Sequence, residues 1–202
     1  MPSKEVAKIL LKQKAVLLRP DNPFTWSSGI KSPIYTDNRK LISSVDEREK
    51  IVSGLVSLAK KEKFDVIAGT ATAGIPWAAF VAQKLKKPMI YVRSKPKEHG
   101  TGSSIEGELK KGQRVIVIED LISTGSSSLS VVAEIRKAGG IVKSTVGIFS
   151  YGFKSARDGF GRAKLKLVTL TDFSTLIKEA VREKYITEKQ KSIVESWRKQ
   201  FL

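Results

Sequence analysis

Short apolar runs alternate with helical patterns through the middle of the chain. The runs are rich in Val, Ile and Leu and have the length of buried strands, while the segments between them repeat apolar residues every three or four positions. The strand-like runs are residues 64–69, 89–93, 115–118, 142–150 and 165–170. Strands that alternate with helices predict an α/β fold with a central, mostly parallel sheet flanked by helices on both faces.

Capping residues and helix-breaking residues indicate the helices, in addition to the apolar period. Ser44 with Glu47 and Thr187 with Gln190 have the spacing of capping boxes, and Ser3 is placed to cap a first helix. The first predicted helix runs from Ser3 to a loop at residues 20–23, with Val6, Ile9 and Leu10 inward. The second begins at Ser44 (inward residues Ile51, Val52, Leu55, Leu58 and Ala59), the third covers residues 75–85, and the fourth runs from Leu129 (inward residues Val132 and Ile135) to Gly139-Gly140. The fifth covers residues 176–181, and the last begins at Thr187, with Ile193, Val194 and Trp197 inward.

The segment FTWSSGIKSPIYTDNR, residues 24–39, follows neither period. Its aromatic residues, glycine and Ser-Pro pair favour a hairpin that covers the core, with residues 34–36 pairing as a short strand. We expect Trp26 and Tyr35 to be exposed beside basic residues. A site for a flat ligand is therefore nearly as consistent with this segment as a structural hairpin.

Composition is typical of a globular protein. The 202 residues suffice for one domain with an ordinary core, and 41% of them are hydrophobic. The chain has no cysteine, which excludes a disulfide framework and fits a reducing compartment. No apolar run approaches the ~20 residues of a membrane helix, and the first residues lack the apolar region of a signal peptide. We therefore expect a cytoplasmic protein without a membrane partner.

The charge is strongly positive, because 37 basic residues outnumber 20 acidic ones and give a net charge of +17. Such a field attracts anions, either small phosphates or nucleic acid. Many of the lysines lie at helical spacing on polar faces, which is typical of a solvated surface. Nucleic acid is therefore not expected as a partner, although the charge keeps a nucleic-acid-binding regulator open as an alternative.

The stretch RVIVIEDLISTGSSS, residues 114–128, carries the clearest chemistry. A buried strand ends in Glu119 and Asp120, and a loop of small hydroxylated residues and a helix start follow. Loop amides and a helix N-terminus bind phosphate, and carboxylates bind sugar hydroxyls, so a phosphorylated sugar is the predicted ligand. The loop matches neither the Walker motif nor G-x-G-x-x-G. One histidine and no cysteine exclude a His/Cys metal cluster, whereas Mg²⁺ remains possible through oxygen ligands.

Three loops are expected at the carboxyl ends of the parallel strands, where such folds bind ligands. They are residues 70–74, 95–102 and 119–128. The segment from Lys95 to Glu106 has no apolar period and carries Lys97 and His99 among glycines, so we expect a long mobile lid there.

Four motifs give the chain a family resemblance. VIVIEDLISTGSSS (115–128) resembles the phosphoribosyl-diphosphate motif of type I phosphoribosyltransferases. YVRSKPKEHGTG (91–102) resembles the catalytic loop of orotate phosphoribosyltransferases, residues 24–39 resemble their orotate-binding segment, and GTATAGIP (69–76) resembles their diphosphate loop. The resemblance implies the type I phosphoribosyltransferase fold in a single domain over 1–202: a small N-terminal hood (1–40), a core (64–170), a long mobile catalytic loop and C-terminal helices (172–202).

The resemblance also implies an activity, the transfer of ribose 5-phosphate from 5-phosphoribosyl 1-diphosphate to orotate. The products are orotidine 5′-phosphate, a precursor of UMP, and diphosphate. Mg²⁺ is implied as the cofactor, held through the substrate and water without direct protein ligands. A homodimer is implied in which the catalytic loop reaches the neighbouring subunit's site.

Site residues follow from the motif positions. The resemblance implies catalytic roles for Lys97, His99 and Asp120. It implies that the donor is bound by Arg93, Lys97, His99, Glu119, Asp120, Leu121, Ile122, Ser123, Thr124, Gly125, Ser126 and Ser127. It implies that orotate is bound by Ser123, Tyr35 and Ser27, and that the diphosphate loop is Thr70, Ala71, Thr72 and Ala73.

This chain lacks several basic residues that relatives often carry. Ala73, Ser94 and Ser27 stand where related enzymes often have basic residues, and no arginine stands near Gly152, although Lys154 is close. Lys31, Arg39 or backbone amides are the candidates to replace them. A phosphoribosyltransferase for another base, such as a purine or uracil, is the second alternative.

Overall fold

A six-stranded sheet lies at the centre of the molecule, seen in a computed structural model that describes residues 1–26, 29–93 and 104–202. The elements in chain order are α1 (Ser3–Lys12), β1 (Val16–Leu18), β2 (Phe24–Thr25), β3 (Lys31–Ser32), β4 (Ile34–Thr36), a 3₁₀ helix (Asn38–Ser43), α2 (Val45–Ala59), β5 (Val66–Thr70), α3 (Gly74–Leu85), β6 (Met89–Val92), β7 (Ile105–Glu106), β8 (Arg114–Ile122), α4 (Ser126–Lys137), β9 (Ile141–Ser150), α5 (Lys154–Arg162), β10 (Lys166–Asp172), α6 (Phe173–Arg182) and α7 (Glu188–Lys199).

The strand order in the sheet is β10-β9-β8-β5-β6-β7. All neighbours are parallel except β6 and β7, which confirms the mostly parallel sheet predicted from the sequence. Alternate residues of each strand face opposite sides, so β8 directs Ile116 and Ile118 into one core and Val115 and Val117 into another. The first core includes apolar residues of α1, α2, α3 and α6, and the second includes those of α4 and α5.

The N-terminal hairpin forms as predicted. β2 pairs with β3 and β4 pairs with β1, both antiparallel. Trp26 is not exposed, in contrast to the prediction, because its ring packs 5.7 Å from that of Tyr151 and its Nε1 donates to the carbonyl of Ile34 at 3.2 Å. Tyr35 is exposed, as expected.

The first helix differs from the prediction at both ends. Pro2 is its N-cap, and the Ser3 hydroxyl instead donates to Thr171 Oγ1 at 3.0 Å. The helix ends at Lys12, well before residues 20–23, because the chain between them forms β1 and pairs with β4. An apolar segment of three residues is too short to show a strand period, so only its distant partner defines it.

The two predicted capping boxes have different outcomes. Thr187 and Gln190 exchange both hydrogen bonds, so that box is confirmed. Ser44 is the N-cap of α2, but its hydroxyl donates to the Glu47 carboxylate at 3.2 Å and accepts no backbone hydrogen bond. The buried stripe predicted for the last helix is confirmed for Val194 and Trp197. The prediction is wrong for Ile193, which is 40% exposed.

Two element boundaries within residues 114–128 differ from the prediction, and one helix that follows them was not predicted. β8 continues to Ile122 because β9 pairs with it as far as Ser150, so the acidic pair lies within the strand. The helix α4 starts at Ser126, and α5 was not predicted, since its few buried residues are spread among glycines and charges. Of the predicted lid, the described part begins at residue 104 and forms β7 against β6.

No helix within the described ranges has the length and hydropathy to span a bilayer.

Candidate active site

A cleft of about 290 Å³ opens at the carboxyl ends of β5 and β8. The chain passes from β5 to β6 on one side and returns to β8 on the other, so the connections diverge at this point of the sheet. Open α/β sheets bind ligands at such a switch point, because the diverging loops leave a crevice there. The residues that line the cleft are Thr36, Asp37, Arg39, Thr70, Ala71, Thr72, Ala73, Glu119, Asp120, Leu121, Ser123 and Ser127.

The acidic pair stands where β8 outruns β5. The pairing of the two strands ends at Gly69 with Ile118, so Glu119 and Asp120 lie beside open space. Glu119 is only 4% exposed. Its Oε2 accepts from the Ser128 hydroxyl at 2.9 Å, and its Oε1 accepts from the Asp120 amide at 3.1 Å.

Burial dominates the electrostatics of this pair. It raises the pKa of Glu119, and the neighbouring Asp120 charge raises it further. Burial likewise raises the pKa of Asp120, while hydrogen bonds from Glu119 and the backbone oppose the shift. Two carboxyl groups that burial has deprived of water favour ligands that donate hydrogen bonds or carry positive charge. Vicinal sugar hydroxyls meet the first requirement.

The predicted phosphate cradle, residues 124–127, includes the turn after β8 and the first residues of α4. Gly125 has φ of 80°, and a Cβ there would lie 2.9 Å from the Phe160 ring, so both the turn and the packing require glycine. Thr124 Oγ1 and Ser126 Oγ lie 3.1 Å apart. Amides in the first turn of a helix have no intrahelical acceptor and carry the positive end of its dipole. Hydroxyls and amides therefore converge where an anion can bind.

The diphosphate loop, residues 70–73, forms the wall opposite the cradle. Gly74 begins α3, where a Cβ would come within 2.7 Å of the Ile118 carbonyl oxygen, so glycine allows the loop to approach β8. The Ala71–Thr72 peptide bond is cis. The Thr70 hydroxyl is buried and has no hydrogen-bond partner among the residues that the structure describes.

A second cleft of about 280 Å³ adjoins the first and brings Arg93 to the same site. Arg93 lines it together with Thr70, Ala71, Ser126 and Ser127. The Arg93 side chain is 42% exposed and its Nη1 lies 3.7 Å from Glu106 Oε1. A cation thus stands beside the cradle and the diphosphate loop.

The hood closes the first cleft with Asp37 and Asn38, which were not predicted as site residues, and with Arg39, which was a candidate only as a substitute for missing basic residues. Arg39 Nε donates to Asp37 Oδ1 at 2.6 Å, and this hydrogen bond lowers the pKa of Asp37. Arg39 is the only cation among the described residues that line this cleft. Asn38 is fully buried and donates from Nδ2 to the Asp120 carbonyl at 2.7 Å, which ties the hood to the acidic strand. The Asp-x-Arg spacing was the available sequence signal for the ion pair.

The remaining predicted residues are distributed as follows. Leu121 and Ser123 line the cleft, whereas Ile122 is buried beneath it. Tyr35 is not among the lining residues of the cleft, and its ring lies 5.6 Å from that of Phe24 on the outside of the hairpin. Ser27, Ser94, Lys95, Lys97 and His99 lie outside the described residues. Near Gly152, Lys154 is paired with Asp158 at 3.0 Å.

Fold and site together define a phosphoribosyltransferase. The family profile described as "Phosphoribosyl transferase domain" matches residues 35–164, which include the hood strand β4, the diphosphate loop, the acidic pair and the cradle. The crystal structure of orotate phosphoribosyltransferase from Aeropyrum pernix superposes with a TM-score of 0.78 at 31% identity, covering 90% of this chain and 99% of that one.

Curated relatives narrow the class. Orotate phosphoribosyltransferase of Listeria monocytogenes is 49% identical over 198 residues, which are 97% of this chain and 95% of that protein. The protein of the same name from Bacillus pumilus is 51% identical over 196 residues, 96% of this chain and 92% of that one. The chain belongs to the orotate phosphoribosyltransferase family of type I phosphoribosyltransferases.

Proposed function

We propose that the protein transfers ribose 5-phosphate from 5-phosphoribosyl 1-diphosphate to orotate in pyrimidine biosynthesis. A bond forms between N1 of orotate and C1′ of the ribose, the C1′–O bond breaks, diphosphate leaves with the electron pair, and N1 loses its proton. The observation that supports this most directly is a pair of adjoining clefts in which the acidic pair and the diphosphate loop meet Ser126 and Ser127 of the cradle.

The acidic pair is assigned to the ribose. Asp120 and Glu119 accept hydrogen bonds from the ribose hydroxyls and stabilise the positive charge that develops on the ring as the C1′–O bond breaks. The positive charge that develops on the ring favours the ionised form of Glu119. Because Glu119 is buried, its carboxylate then acts in a medium of low dielectric constant, where charge stabilisation is strong. Ser128 orients Glu119 through the 2.9 Å hydrogen bond. Catalysis is then mainly positioning and electrostatics.

The two ends of the donor are assigned to the two loops. Residues 124–127 bind the 5′-phosphate through hydroxyls and helix-start amides. The diphosphate lies against residues 70–73, where Arg93 neutralises part of its charge together with Lys97 and His99 from the catalytic loop. Leu121 and Ile122 contribute backbone to the wall of this site.

Magnesium is assigned to the donor and to water. No group of three or more His, Cys, Asp or Glu side chains is arranged for a metal ion within residues 1–26, 29–93 and 104–202. Mg²⁺ prefers oxygen ligands and keeps several waters, so the phosphates of the donor would hold it, and the carboxylate of Asp120 and the cleft hydroxyls would contact it through water. When bound, Mg²⁺ neutralises charge on the diphosphate.

The base is assigned to the hood side of the cleft. Ser123 hydrogen-bonds the ring, and Ser27 and Tyr35 are retained from the motif resemblance. Arg39 binds the carboxylate of orotate, because Asp37 engages its Nε and leaves the Nη1 and Nη2 atoms without a carboxylate partner in the described part of the chain. A planar guanidinium fork matches a carboxylate with two parallel hydrogen bonds. Arg39 thus supplies the positive charge that is missing at Ser27 and near Gly152, where related enzymes often have basic residues.

Assembly and location complete the proposal. The enzyme acts as a cytoplasmic homodimer whose catalytic loop reaches the partner's site, and the chain forms one domain. A phosphoribosyltransferase for a purine or uracil, and a regulator without activity, are both disfavoured by the relatives of about half identity that bear the orotate name.

The decisive experiment follows orotate absorbance after addition of 5-phosphoribosyl 1-diphosphate and Mg²⁺. Orotate should be consumed only when all components are present, and orotidine 5′-phosphate should appear in equal amount. Consumption of uracil or a purine in place of orotate would show that the base assignment is wrong.

A further inference from the structure

The positive charge of the chain is concentrated on the edge of the sheet opposite the cleft. β5, β6, β8, β9 and β10 are parallel, so they all start at this edge. The segments that lead into them are residues 60–65, 84–88, 108–114, 136–143 and 162–166, here called the basic edge. They hold fifteen basic and three acidic residues, a net charge of +12 out of +17 for the chain.

Most of these cations are not used within the protein. Four of the fifteen form ion pairs with carboxylates, as in Lys166 with Glu62 and Arg114 with Asp65, and Arg136 donates to backbone carbonyls. The other ten are exposed and have neither kind of partner in the part of the chain that the structure describes. They are Lys60, Lys61, Lys63, Lys86, Lys87, Lys111, Lys137, Lys143, Arg162 and Lys164. Like charges held together in this way repel one another, and a polyanion removes that repulsion.

Two clefts with an aromatic residue lie within the basic edge. They measure about 320 and 340 Å³ and share Glu62, Lys63, Phe64 and Arg114. Phe64 is half-buried, and Lys87 Nζ lies 6.0 Å from the centre of its ring. A positively charged groove with an aromatic ring is the arrangement on which proteins stack the bases of single-stranded nucleic acid.

The dimensions fit several phosphates. The five strands lie side by side in the order β10, β9, β8, β5, β6, so the basic edge crosses four strand spacings, roughly 19 Å at ~4.8 Å each. A stacked single strand that advances ~3.4 Å per nucleotide places about five phosphates over that length. The basic edge is also roughly 20 Å from the acidic pair, the length of β8 between Arg114 and Asp120.

We propose that the basic edge binds single-stranded nucleic acid, in addition to the activity of the cleft. A protein partner would require an apolar centre to its interface, and an inserted membrane anchor would require exposed apolar residues. Ile141 is the only large apolar side chain that is exposed in the five segments. The high density of unpaired cations and the single aromatic platform favour a polyanion with planar groups. The helical spacing of many lysines on polar faces suggested a solvated surface, but the fold gathers the lysines of these five segments on one edge.

The test measures fluorescence anisotropy of a labelled 12-nucleotide strand of mixed sequence, in separate RNA and DNA arms. With about five phosphates neutralised, a plot of the logarithm of the association constant against the logarithm of salt concentration should have a slope near −3.5. The triple variant Lys61→Glu, Lys63→Glu, Lys143→Glu should reduce the slope to about −1.4 and weaken binding at least tenfold at physiological salt. Orotate turnover should be equal in both proteins.

A matched control separates this site from bulk charge. Lys178→Glu, Lys189→Glu, Lys199→Glu makes the same change of net charge on exposed residues of α6 and α7, and it should bind within about twofold of wild type. Phe64→Leu should weaken binding of the single-stranded oligonucleotide and leave binding of inorganic polyphosphate unchanged. Thermal unfolding first shows that this variant is folded. Equal loss in both triple variants, or tighter binding of polyphosphate or anionic vesicles than of either oligonucleotide, would overturn the proposal.

Discussion

Replacing Arg39 by alanine tests the assignment of the base. Arg39 is the only cation among the described residues that line the cleft, and Asp37 holds its Nε at 2.6 Å. The variant removes both Nη donors and leaves the side chains of the acidic pair and the cradle in place, although it also removes the charge of Arg39, which lowers the pKa of Asp120. Orotate carries a carboxylate for these donors to bind, whereas uracil is the same ring without one.

The size of the effect follows from the geometry. Hydrogen bonds to charged groups contribute about 1.5–3 kcal/mol. The Arg39 side chain is 62% exposed, so screening by water places the loss near the lower end, at about 1.4–2 kcal/mol. That corresponds to a ten- to thirtyfold fall in kcat/KM for orotate. Arg39→Lys should fall between wild type and alanine, since it keeps the charge but not the planar fork.

The assay is steady-state orotate consumption at saturating donor, followed by the KM of the donor at saturating orotate. The KM of the donor and inhibition by uracil should be the same in wild type and Arg39→Ala. Lys31→Ala is the matched control, because Lys31 is an exposed cation of the same hood that does not line the cleft.

Two results would refute the reasoning. If kcat/KM for orotate stays within twofold of wild type, Arg39 does not bind the carboxylate. If the KM of the donor rises in place of that for orotate, Arg39 serves the diphosphate sugar. Neither result would affect the proposed reaction, because wild-type turnover of orotate is measured in the same experiment.

Three further predictions concern the acidic pair and the loop. Lys97→Ala and His99→Ala should each lower turnover at least tenfold without changing the thermal midpoint, and wild-type rates in both would remove the loop from the mechanism. Mixing Asp120→Asn with Lys97→Ala should restore partial activity through hybrid dimers, whereas no recovery after proven subunit exchange would contradict a shared loop. Burial raises the pKa of Glu119 above its ordinary value of 4.5, so over a range of pH the ligand-free folded state holds a proton that the unfolded state has lost. The free energy of unfolding should therefore fall as pH rises above that value. Glu119→Gln should reduce that fall in denaturant titrations, while the part due to the raised pKa of Asp120 remains, and an identical pH profile in both proteins would contradict the assignment.

Much of the site could be predicted because it is local in sequence. Residues 114–128 contain the strand, both carboxylates, the cradle and the helix start, so the motif defines their relative geometry almost alone. The diphosphate loop is similar, since Gly74 and the helix start follow directly after β5. The strand β8 was nevertheless predicted too short, because the pairing that extends it comes from β9.

The hood side could not be predicted in the same way. Asn38 and Asp120 are separated by 82 residues, and their hydrogen bond exists only because the 3₁₀ helix packs against the end of β8. Trp26 shows the same limit, since an aromatic residue in a polar hairpin gives no sign that Tyr151 and Trp197 cover it.

The sequence by itself therefore determined the fold class and the family, and it predicted the donor site, because short motifs and the alternation of strand and helix patterns encode them. The tertiary structure decided which distant groups face them: Arg39 across the cleft from Asp120, Asn38 against the carbonyl of Asp120, and the cations gathered at one edge. The physical reason is the parallel sheet, which brings all strand starts to one edge and all strand ends to the other. Charges that are scattered along the chain thereby become a single face, and loops that are far apart in sequence become one site.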